Sequence, residues 1–353
     1  MRVFLTDRSV AQALLPTAEW RDDRISGFQP NGQGALVPDA GGCDGVSAKV
    51  SDPLQEPFVS YFNGLLGDVK QVPLQDGTAF ALIAPANTKA DFTAQARRTE
   101  ELVAADTVRI LGDSTSQNTP VVRAGLVMRA RSYVRAEQSQ RHVPVAQRRG
   151  FRADQVQDLS RSLPYARYFD VEDLTLRHPR FDGGMSPPID RTVMRSADAV
   201  TVLPYDPKLD QVVLVEQFRP AAYVRGDSCP WVLEPVAGRC DGDEPVEEVA
   251  RREMIEEAGL TLLSLKNIAS YYPSPGCLSE YLYSFVGIVD LSQAETGVHG
   301  VAGEDEDIQT HILDFDAAMA LVTSGEADNG PLLLSLFWLA ANRAGLRAGA
   351  SAA

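Results

Sequence analysis

Apolar residues recur along this chain with two different periods, and their arrangement divides it into two globular stretches. Near the N-terminus, short apolar runs separated by turns predict strands, and two longer runs with helical spacing predict helices. The predicted strands lie at residues 2–5, 34–38, 69–74 and 78–85, and the predicted helices at 92–108 and 121–135. Residues 136–160 hold few large apolar side chains and no sustained period, which is typical of a connector.

A second series of apolar runs begins after residue 160. Residues 199–218 predict two strands joined by a turn at 205–208, where the Asp206-Pro207 step is a turn signal. Further strands are predicted at 231–238, 281–291 and 308–315, and helices at 245–260, 315–324 and 330–343. The patterns predict a mixed α/β (α+β) protein with domains at 1–135 and 161–347, a linker at 136–160 and a disordered tail at 348–353.

One predicted helix places acidic residues on its inward face. At about 100° per residue, an arc of about 120° contains three apolar and three acidic residues: Val246, Val249, Ala250, Glu253, Glu256 and Glu257. A solvated acidic surface, the usual explanation of an acidic run, would place the carboxylates opposite the apolar side chains. Pro245 before this stripe and Gly259 after it suit the two ends of a helix.

Inward carboxylates without an adjacent lysine repel one another and raise each other's pKa. A hard divalent cation removes that repulsion, and all-oxygen ligands favour Mg²⁺, with Mn²⁺ as the alternative, over zinc. A substrate whose phosphates complete the coordination sphere suits such a site. Arg252 lies off the stripe, so we expect it to hold the carboxylates in place rather than to contact substrate.

Net charge limits the partners. Lys and Arg total 33 and Asp and Glu total 48, a net charge of −15, which argues against binding to nucleic acid or an anionic membrane. The longest apolar run, 332–341, is too short to span a bilayer, and Asp7 and Arg8 interrupt the N-terminal apolar stretch, unlike in a secretory signal. We therefore predict a cytoplasmic protein that acts on a small molecule.

The stretch from Gly238 to Leu260 resembles a Nudix box, GX5EX7REUXEEXGU, in which U is aliphatic. It matches at every defined position: Gly238, Glu244, Arg252, Glu253, Met254, Glu256, Glu257, Gly259 and Leu260. Flanking segments follow the order seen in ADP-ribose pyrophosphatases over roughly residues 163–345. These are HPRFDGG (178–184), VLVEQFRPAAY (213–223), WVLEPVAGR (231–239), YYPSPGCLSE (271–280) and EDEDIQTHILDF (304–315).

This resemblance implies hydrolysis of ADP-ribose to AMP and ribose 5-phosphate, in an α/β/α sandwich with a mixed sheet that forms an intertwined homodimer. It implies metal ligands at Glu253, Glu257 and Glu306 and at the backbone carbonyl of Ala237, with Glu256 and Arg252 assisting catalysis. It also implies a catalytic base on the acidic loop 303–307, at Glu304. Four consecutive acids in this loop leave the register open, and a solvated acidic turn is the alternative.

The same resemblance implies the substrate contacts. Arg219 matches the arginine that grips the diphosphate, which suits its bidentate donors, although an ordinary ion pair is the alternative. Ser274, Gly276 and Glu280 match residues that line the cleft, and turn chemistry alone is the alternative for the Ser274–Gly276 loop. Arg180 lies on a segment that resembles the arm crossing to the second subunit, and is therefore implied to reach that subunit's site.

The first domain resembles a γ-glutamylcyclotransferase-like domain, a smaller mixed α/β barrel-like fold. Residues 5–8 correspond to the family's Tyr-Gly-Thr/Ser-Leu loop, and residues 61–64 to its Leu-Asp-x-x-Glu-Gly motif. The general acid/base position then holds Asn63, and because an amide exchanges no proton near neutral pH, we predict that this domain is inactive. Some Nudix hydrolases associated with tellurite resistance carry such a leading domain. The resemblance therefore implies an association with tellurite resistance.

Two alternatives remain open for the function. The box specifies a diphosphate but not what flanks it, so the substrate is either ADP-ribose or another nucleoside diphosphate sugar. A non-catalytic sensor of ADP-ribose or another nucleotide is a different class of function. The complete glutamate set argues against the sensor, because inward carboxylates are costly to keep without a catalytic use.

Overall fold

The computed structural model describes most of the chain in twelve segments. They are residues 2–5, 7–15, 18–30, 36–49, 68–74, 77–83, 94–112, 123–139, 147–167, 169–242, 244–300 and 306–351. Internal contacts divide the chain into two compact units, Met1–Ser196 and Ala197–Ala353. This boundary follows Ser196, whereas the boundary predicted from composition precedes residue 161, so the two differ in where they assign residues 161–196.

The first unit begins with a five-stranded sheet and three helices. Its elements are β1 (Arg2–Leu5), α1 (Arg8–Leu14), β2 (Arg21–Pro30), β3 (Leu36–Lys49), β4 (Asp68–Leu74), β5 (Gly77–Ile83), α2 (Ala94–Gly112) and α3 (Arg123–Gln138). The strand order is β2-β3-β1-β5-β4, with an additional β3–β5 pairing. Among the described residues these strands do not close into a barrel. The Tyr61–Gly64 motif and Asn63 lie outside the described residues.

A second, three-stranded antiparallel sheet completes the first unit. Its strands are β6 (Gln157–Ala166), β7 (Asp170–Arg177) and β8 (Ile189–Arg195), in the order β6-β7-β8. Leu163 and Ala166 of β6 join the hydrophobic core formed by α1, α2 and α3. Charged side chains reinforce this packing, because Arg129 of α3 pairs with Asp170 at 2.5 Å and Asp106 of α2 pairs with Arg195 at 2.5 Å.

The second unit is built around a mixed sheet. Its elements are β9 (Ala199–Asp206), β10 (Gln211–Phe218), α4 (Pro220–Arg225), β11 (Trp231–Glu234), β12 (Val236–Arg239), α5 (Val246–Ala258), β13 (Ser264–Tyr271), β14 (Leu282–Ile288), β15 (Val298–His299), β16 (Ile308–Asp314), α6 (Phe315–Ser324) and α7 (Gly330–Ser351). The strand path is β13-β14-β9-β10-β16-β15, with β11 paired to β10 and β12 to β9. The predicted run 231–238 divides at Pro235, which has no N–H to donate, and the chain passes there from one neighbour to the other.

Helices cover both faces of this sheet, and each face has its own core. On one face, Val249, Ala250 and Met254 of α5 pack against strand residues such as Val202 and Val236. On the other face, α6 and α7 pack against Leu203, Tyr205, Leu214 and Val286. Because the two faces alternate along each strand, this layering confirms the predicted α/β/α class.

Local signals for turns and helix ends agree well with the structure. The predicted hairpin between β9 and β10 forms, but its turn lies at 207–210 rather than 205–208, with Asp210 in the left-handed conformation at φ 63°. Helix α7 continues to Ser351, into the segment that composition assigned to a tail, because its alanines favour helix. Within the described residues, none of the helices is long and apolar enough to cross a bilayer.

Candidate active site

The ends of several strands meet at one edge of the mixed sheet of the second unit. The first residue of β9, Ala199, pairs with Arg239 at the end of β12 and with Leu282 at the start of β14. At the same edge, β10 ends at Phe218, opposite Trp231. Because β16 runs antiparallel to β10, it also begins at this edge. The segments that leave this edge carry most of the site residues expected from the sequence.

Helix α5 presents two buried carboxylates next to this edge. Glu253 and Glu257 are 8% and 2% exposed, and both lie on the same side of the helix as the buried Val249 and Ala250. The inward placement expected from the 100° spacing is therefore confirmed for these two residues. Glu256 sits at the margin of the stripe, with 34% of its side chain exposed.

The glycine that opens the box makes room for Glu253. A Cβ atom added to Gly238 would lie 1.9 Å from Glu253 Cδ and 2.0 Å from Oε1, a separation that no side chain tolerates. Gly238 pairs with Val200, so its missing side chain faces the same side of the sheet as α5. The glycine is thus required because the carboxylate lies directly on the β12 backbone.

The next residue upstream holds Glu257. The backbone N–H of Ala237 donates to Glu257 Oε2 at 2.9 Å. Ala237 itself is fixed by its pairing with Thr201 in β9. The strand therefore positions both carboxylates, one through a hydrogen bond and the other through the space at a glycine.

Burial shifts the pKa of both carboxyls upward. The pKa of Glu257 is raised to about 8, mainly by burial. The hydrogen bond from the Ala237 N–H lowers this pKa, and the charges of Glu253 and Glu306 raise it. For Glu253, burial raises the pKa to about 7, Arg252 lowers it, and Glu256 and Glu306 raise it. The charged form of this pair is therefore disfavoured until a cation compensates it.

Arg252 connects the acidic residues around the box. Its Nη1 lies 2.8 Å from Glu253 Oε1 and 2.9 Å from Glu256 Oε2, and its Nε lies 3.4 Å from Glu244 Oε1. Its Nη2 lies 3.3 Å from Asp241 Oδ1. A guanidinium shared among several carboxylates orients them, which matches the positioning role expected for Arg252.

Arg219 follows β10 at the same edge and immediately precedes α4. Its Nε donates to Glu234 Oε2 at 2.6 Å, and its side chain remains 39% exposed. Burial raises the pKa of Glu234, and Arg219 lowers it. The charge of Arg219 also lowers the pKa of Glu257 and of Glu280, so this arginine acts on carboxyls from both the box helix and the loop before β14.

The loop between β13 and β14 carries the remaining residues expected in the cleft. Ser274 begins a turn in which its carbonyl accepts from the N–H groups of Cys277 and Leu278. Gly276 is exposed, and a Cβ added to it would meet only open space. Glu280 is partly buried, and burial raises its pKa while Arg239 lowers it.

The sequence indicates three further site residues. Glu304 lies outside the described residues, whereas Glu306 is partly buried and its charge acts on both box glutamates. Arg180 belongs to the first unit, where it pairs with Asp182 at 2.5 Å. Within the part of the chain that the structure describes, no three His, Cys, Asp or Glu side chains already stand in a geometry that would hold a metal ion.

Sequence reasoning missed Glu234 and Tyr271. Glu234 precedes Pro235 and accepts a hydrogen bond from Arg219. The proline inside the predicted strand 231–238 was an available signal that the strand ends at Glu234. Tyr271 ends β13 and accepts a hydrogen bond from a buried serine. That contact had no signal in the sequence, because it depends on which strands become neighbours.

Comparisons with known proteins agree with this geometry. A family model described as "NUDIX domain" matches residues 195–335. The ADP-ribose pyrophosphatase of Escherichia coli (strain K12) is 41% identical over 189 residues, covering 54% of this chain and 90% of that protein. The ADP-ribose pyrophosphatase of Haemophilus influenzae is 37% identical over 199 residues, covering 56% and 91%.

Two further similarities are more distant. The GDP-mannose pyrophosphatase of Escherichia coli O1:K1 / APEC is 34% identical over 172 residues, covering 49% of this chain and 88% of that protein. A solved structure titled "Crystal structure of ADP compounds hydrolase" has a TM-score of 0.41 and 19% identity, covering 53% of this chain and 96% of that one. The identities above 30% across nearly whole relatives, together with the complete box, establish that this chain belongs to the Nudix family.

Proposed function

We propose that this chain hydrolyses the diphosphate of ADP-ribose to AMP and ribose 5-phosphate. The observation that carries the proposal is the pair of buried carboxylates, Glu253 and Glu257, held against β12 by Gly238 and Ala237. The relatives named ADP-ribose pyrophosphatase support the same substrate, since their similarity spans the half of the chain that contains this pair.

The donor set fits a hard divalent cation. Arg252 and the Ala237 N–H only partly compensate the buried carboxylates of Glu253 and Glu257, and a dication offsets the remaining cost of burial. Glu253, Glu257, Glu306 and the carbonyl of Ala237 would hold the ion, with Glu256 at the margin. We propose Mg²⁺, with Mn²⁺ as the alternative, because all these donors are oxygen. When bound, the ion polarises the diphosphate and lowers the pKa of an attacking water.

The chain's own residues supply binding and positioning. Arg219 exchanges part of its contact with Glu234 for bidentate contact with the diphosphate. Arg252 keeps Glu253 and Glu256 in place. We assign the proton acceptor to Glu304 and the lining of the cleft to Ser274, Gly276 and Glu280.

A substrate panel tests the proposed function. The purified protein is incubated with Mg²⁺ and, separately, ADP-ribose, GDP-mannose, NADH and diadenosine polyphosphates, and the products are separated by chromatography. The proposal expects AMP and ribose 5-phosphate from ADP-ribose at the highest kcat/KM. Absence of turnover with every nucleotide would leave a sensor as the better explanation.

Hydrolysis of another nucleoside diphosphate sugar is the second candidate. The observation that favours it is the 34% identity to a protein named GDP-mannose pyrophosphatase, over 88% of that protein. In the panel, this candidate expects GDP-mannose to exceed ADP-ribose in kcat/KM.

We also propose that the protein forms a homodimer, with Arg180 reaching the second subunit's site. Large apolar side chains are exposed on and beside the three-stranded sheet of the first unit, and these support an interface there. They include Phe151, Leu159, Tyr165, Phe181 and Met194. Light scattering after size-exclusion chromatography, on the native chain and on Phe181→Ser, measures the subunit number.

The remaining expectations concern cellular context. We propose a cytoplasmic location, an inactive cyclotransferase-like first domain, and the association with tellurite resistance that the resemblance implies. Cell fractionation, a cyclotransferase assay and growth of a deletion strain on tellurite measure these three properties.

A further inference from the structure

Three hydroxyl groups form a chain through the interior of the second unit. Thr201 Oγ1 lies 2.6 Å from Ser284 Oγ, and Ser284 Oγ donates to the phenol oxygen of Tyr271 at 3.3 Å. Thr201 and Ser284 are 3% and 0% exposed, so neither hydroxyl serves as a surface group. Tyr271, by contrast, is only partly buried and ends β13 at the edge where the site lies.

The chain of hydroxyls has a direction. Because Ser284 gives its proton to Tyr271, the Thr201 hydroxyl must be the donor to Ser284. Both hydrogen bonds therefore point towards Tyr271. The phenol oxygen of Tyr271 accepts the second of them, and its own O–H is left to donate. Among the described residues, the Tyr271 hydroxyl is not seen to donate a hydrogen bond.

A purely structural role explains this arrangement poorly. Side chains of similar shape without hydroxyls would fill the same space, and replacing both partners of a buried hydrogen bond by apolar groups is often neutral for stability. Linked hydrogen bonds strengthen one another and rigidify the groups they join, so this chain fixes the orientation of its last hydroxyl, that of Tyr271.

The surroundings of Tyr271 indicate the chemistry of that ligand. Glu280 lies two positions before Leu282, which pairs with Tyr271 between β13 and β14. Burial raises the pKa of Tyr271, the hydrogen bond from Ser284 lowers it and the charge of Glu280 raises it, so the phenol keeps its proton. A carboxylate that accepts and a phenol that donates together recognise a hydroxyl group, which can do both. A phosphate oxygen, by contrast, only accepts and has no proton to donate to Glu280.

We propose that Tyr271 donates a hydrogen bond to a ribose hydroxyl of the substrate, and that Ser284 and Thr201 hold its phenol in place for this contact. The inference rests on the proposed function, because it assigns a sugar contact within the same site. It makes Tyr271 a specificity-determining residue for the sugar, whereas the box glutamates and Arg219 act on the diphosphate.

The test is Tyr271→Phe, which removes only the hydroxyl. The lost hydrogen bond should raise KM for ADP-ribose about 3- to 10-fold and change kcat by less than about 2-fold. Ser284→Ala removes the hydrogen bond that holds the phenol in place, so it should also raise KM for ADP-ribose, but by less than Tyr271→Phe does. Inhibition by the products identifies the sugar, because the inhibition constant of only one of AMP and ribose 5-phosphate should rise with Tyr271→Phe.

The matched control is Tyr281→Phe on the same loop. The Tyr281 hydroxyl donates to the carbonyl of Ser270 at 2.9 Å, so its loss should lower the melting temperature without changing KM. A Tyr271→Phe variant that melts earlier but keeps the native KM would overturn the proposal. So would a raised KM with both product constants unchanged.

Failure of the proposed function gives a different result. If the native chain does not hydrolyse ADP-ribose, that function is wrong, whatever Tyr271 does. Calorimetric titration of the native and Tyr271→Phe chains with AMP and with ribose 5-phosphate then still measures the sugar contact, and equal affinities in both chains would reject it.

Discussion

The two units of this protein bury carboxylates in opposite ways. In the first unit, Asp170 lies 2.5 Å from Arg129, and Asp106 lies 2.5 Å from Arg195. Glu172 lies 3.3–3.8 Å from three arginines, which are Arg161, Arg109 and Arg195. In the second unit, Glu257 is equally buried, yet it accepts a hydrogen bond from the backbone N–H of Ala237 rather than from a cationic side chain.

This difference separates structural charges from functional ones. Buried charges that serve only the fold are paired, because an unpaired buried ion is strongly unfavourable. Burial raises the pKa of the paired Asp170 as well, to about 6. The pKa values of Glu253, which has Arg252 beside it, and of Glu257 reach about 7 and about 8, since burial and the neighbouring carboxylates outweigh what the donors around them supply. Such a deficit of positive charge at a cleft is typical of a site that a cation completes.

The largest expected effect follows from removing the unpaired charge. Glu257→Gln keeps the size and the acceptor for Ala237 N–H but removes a ligand of the ion. Because a bound cation contributes several kcal/mol to stabilising the transition state, kcat/KM should fall by at least about 10³-fold. Steady-state kinetics with ADP-ribose and Mg²⁺ measure this.

A control on the same helix is Glu247→Gln, because Glu247 is exposed in the first turn. It should keep native kinetics. In the presence of a chelator, Glu257→Gln should melt at the native temperature or above it, since the variant no longer buries an uncompensated acid. Native activity in Glu257→Gln would remove the contrast between the two units.

The next effect concerns the paired charges of the first unit. Asp170→Asn removes the carboxylate that lies 2.5 Å from the buried Arg129, and breaking a buried pair in this way costs about 3 kcal/mol of unfolding free energy. Urea unfolding of the native and variant chains measures the loss. Asp173→Asn on the same strand is the control, because Asp173 is exposed and accepts from Thr192 at the surface. Equal losses in the two variants would mean that burial adds nothing to this pair.

Regular spacing made part of this site predictable from the sequence. The inward direction of Glu253 and Glu257 follows from 3.6 residues per turn, and Gly259 ends the helix in the left-handed conformation at φ 64° as expected. These features depend only on neighbours within one helix, so the sequence contains them.

Contacts between distant segments were not predictable in the same way. Composition predicts a helix at 121–135 and a polar linker at 136–160, and neither prediction indicates a buried ion pair. Arg129 is 6% exposed and pairs with Asp170, which lies forty-one positions further along the chain. The hold of Ala237 on Glu257 likewise depends on Pro235 passing the chain from β10 to β9. The identity of a charged residue in the sequence does not indicate whether its side chain is solvated or paired in a core.

The smallest expected effect comes from Asp210. This carboxylate of the second unit is paired with arginines, whereas Glu257 of the same unit is held by a backbone N–H. Asp210 accepts from Tyr205 OH at 2.8 Å and from Arg343 Nε at 2.8 Å, and it also contacts Arg347. Arg343 in particular holds the pKa of Asp210 below its ordinary value, the reverse of the shift at Glu257. Asp210→Asn keeps a residue that tolerates φ 63°, so it should lose only the charge, at about 1.5 kcal/mol near pH 7.

The sign of the pH dependence follows from that lowered pKa. The stabilisation by Asp210 is complete above the ordinary aspartate pKa of about 4 and is lost as the pH falls through the lower value of the folded state. The difference in unfolding free energy between the native chain and Asp210→Asn should therefore be constant from pH 7 to about 5 and shrink at more acidic pH. Urea unfolding over this range measures it. A difference that stayed constant down to pH 2.5 would show that packing rather than charge stabilises this cluster, and the contrast with Glu257 would then rest on burial alone.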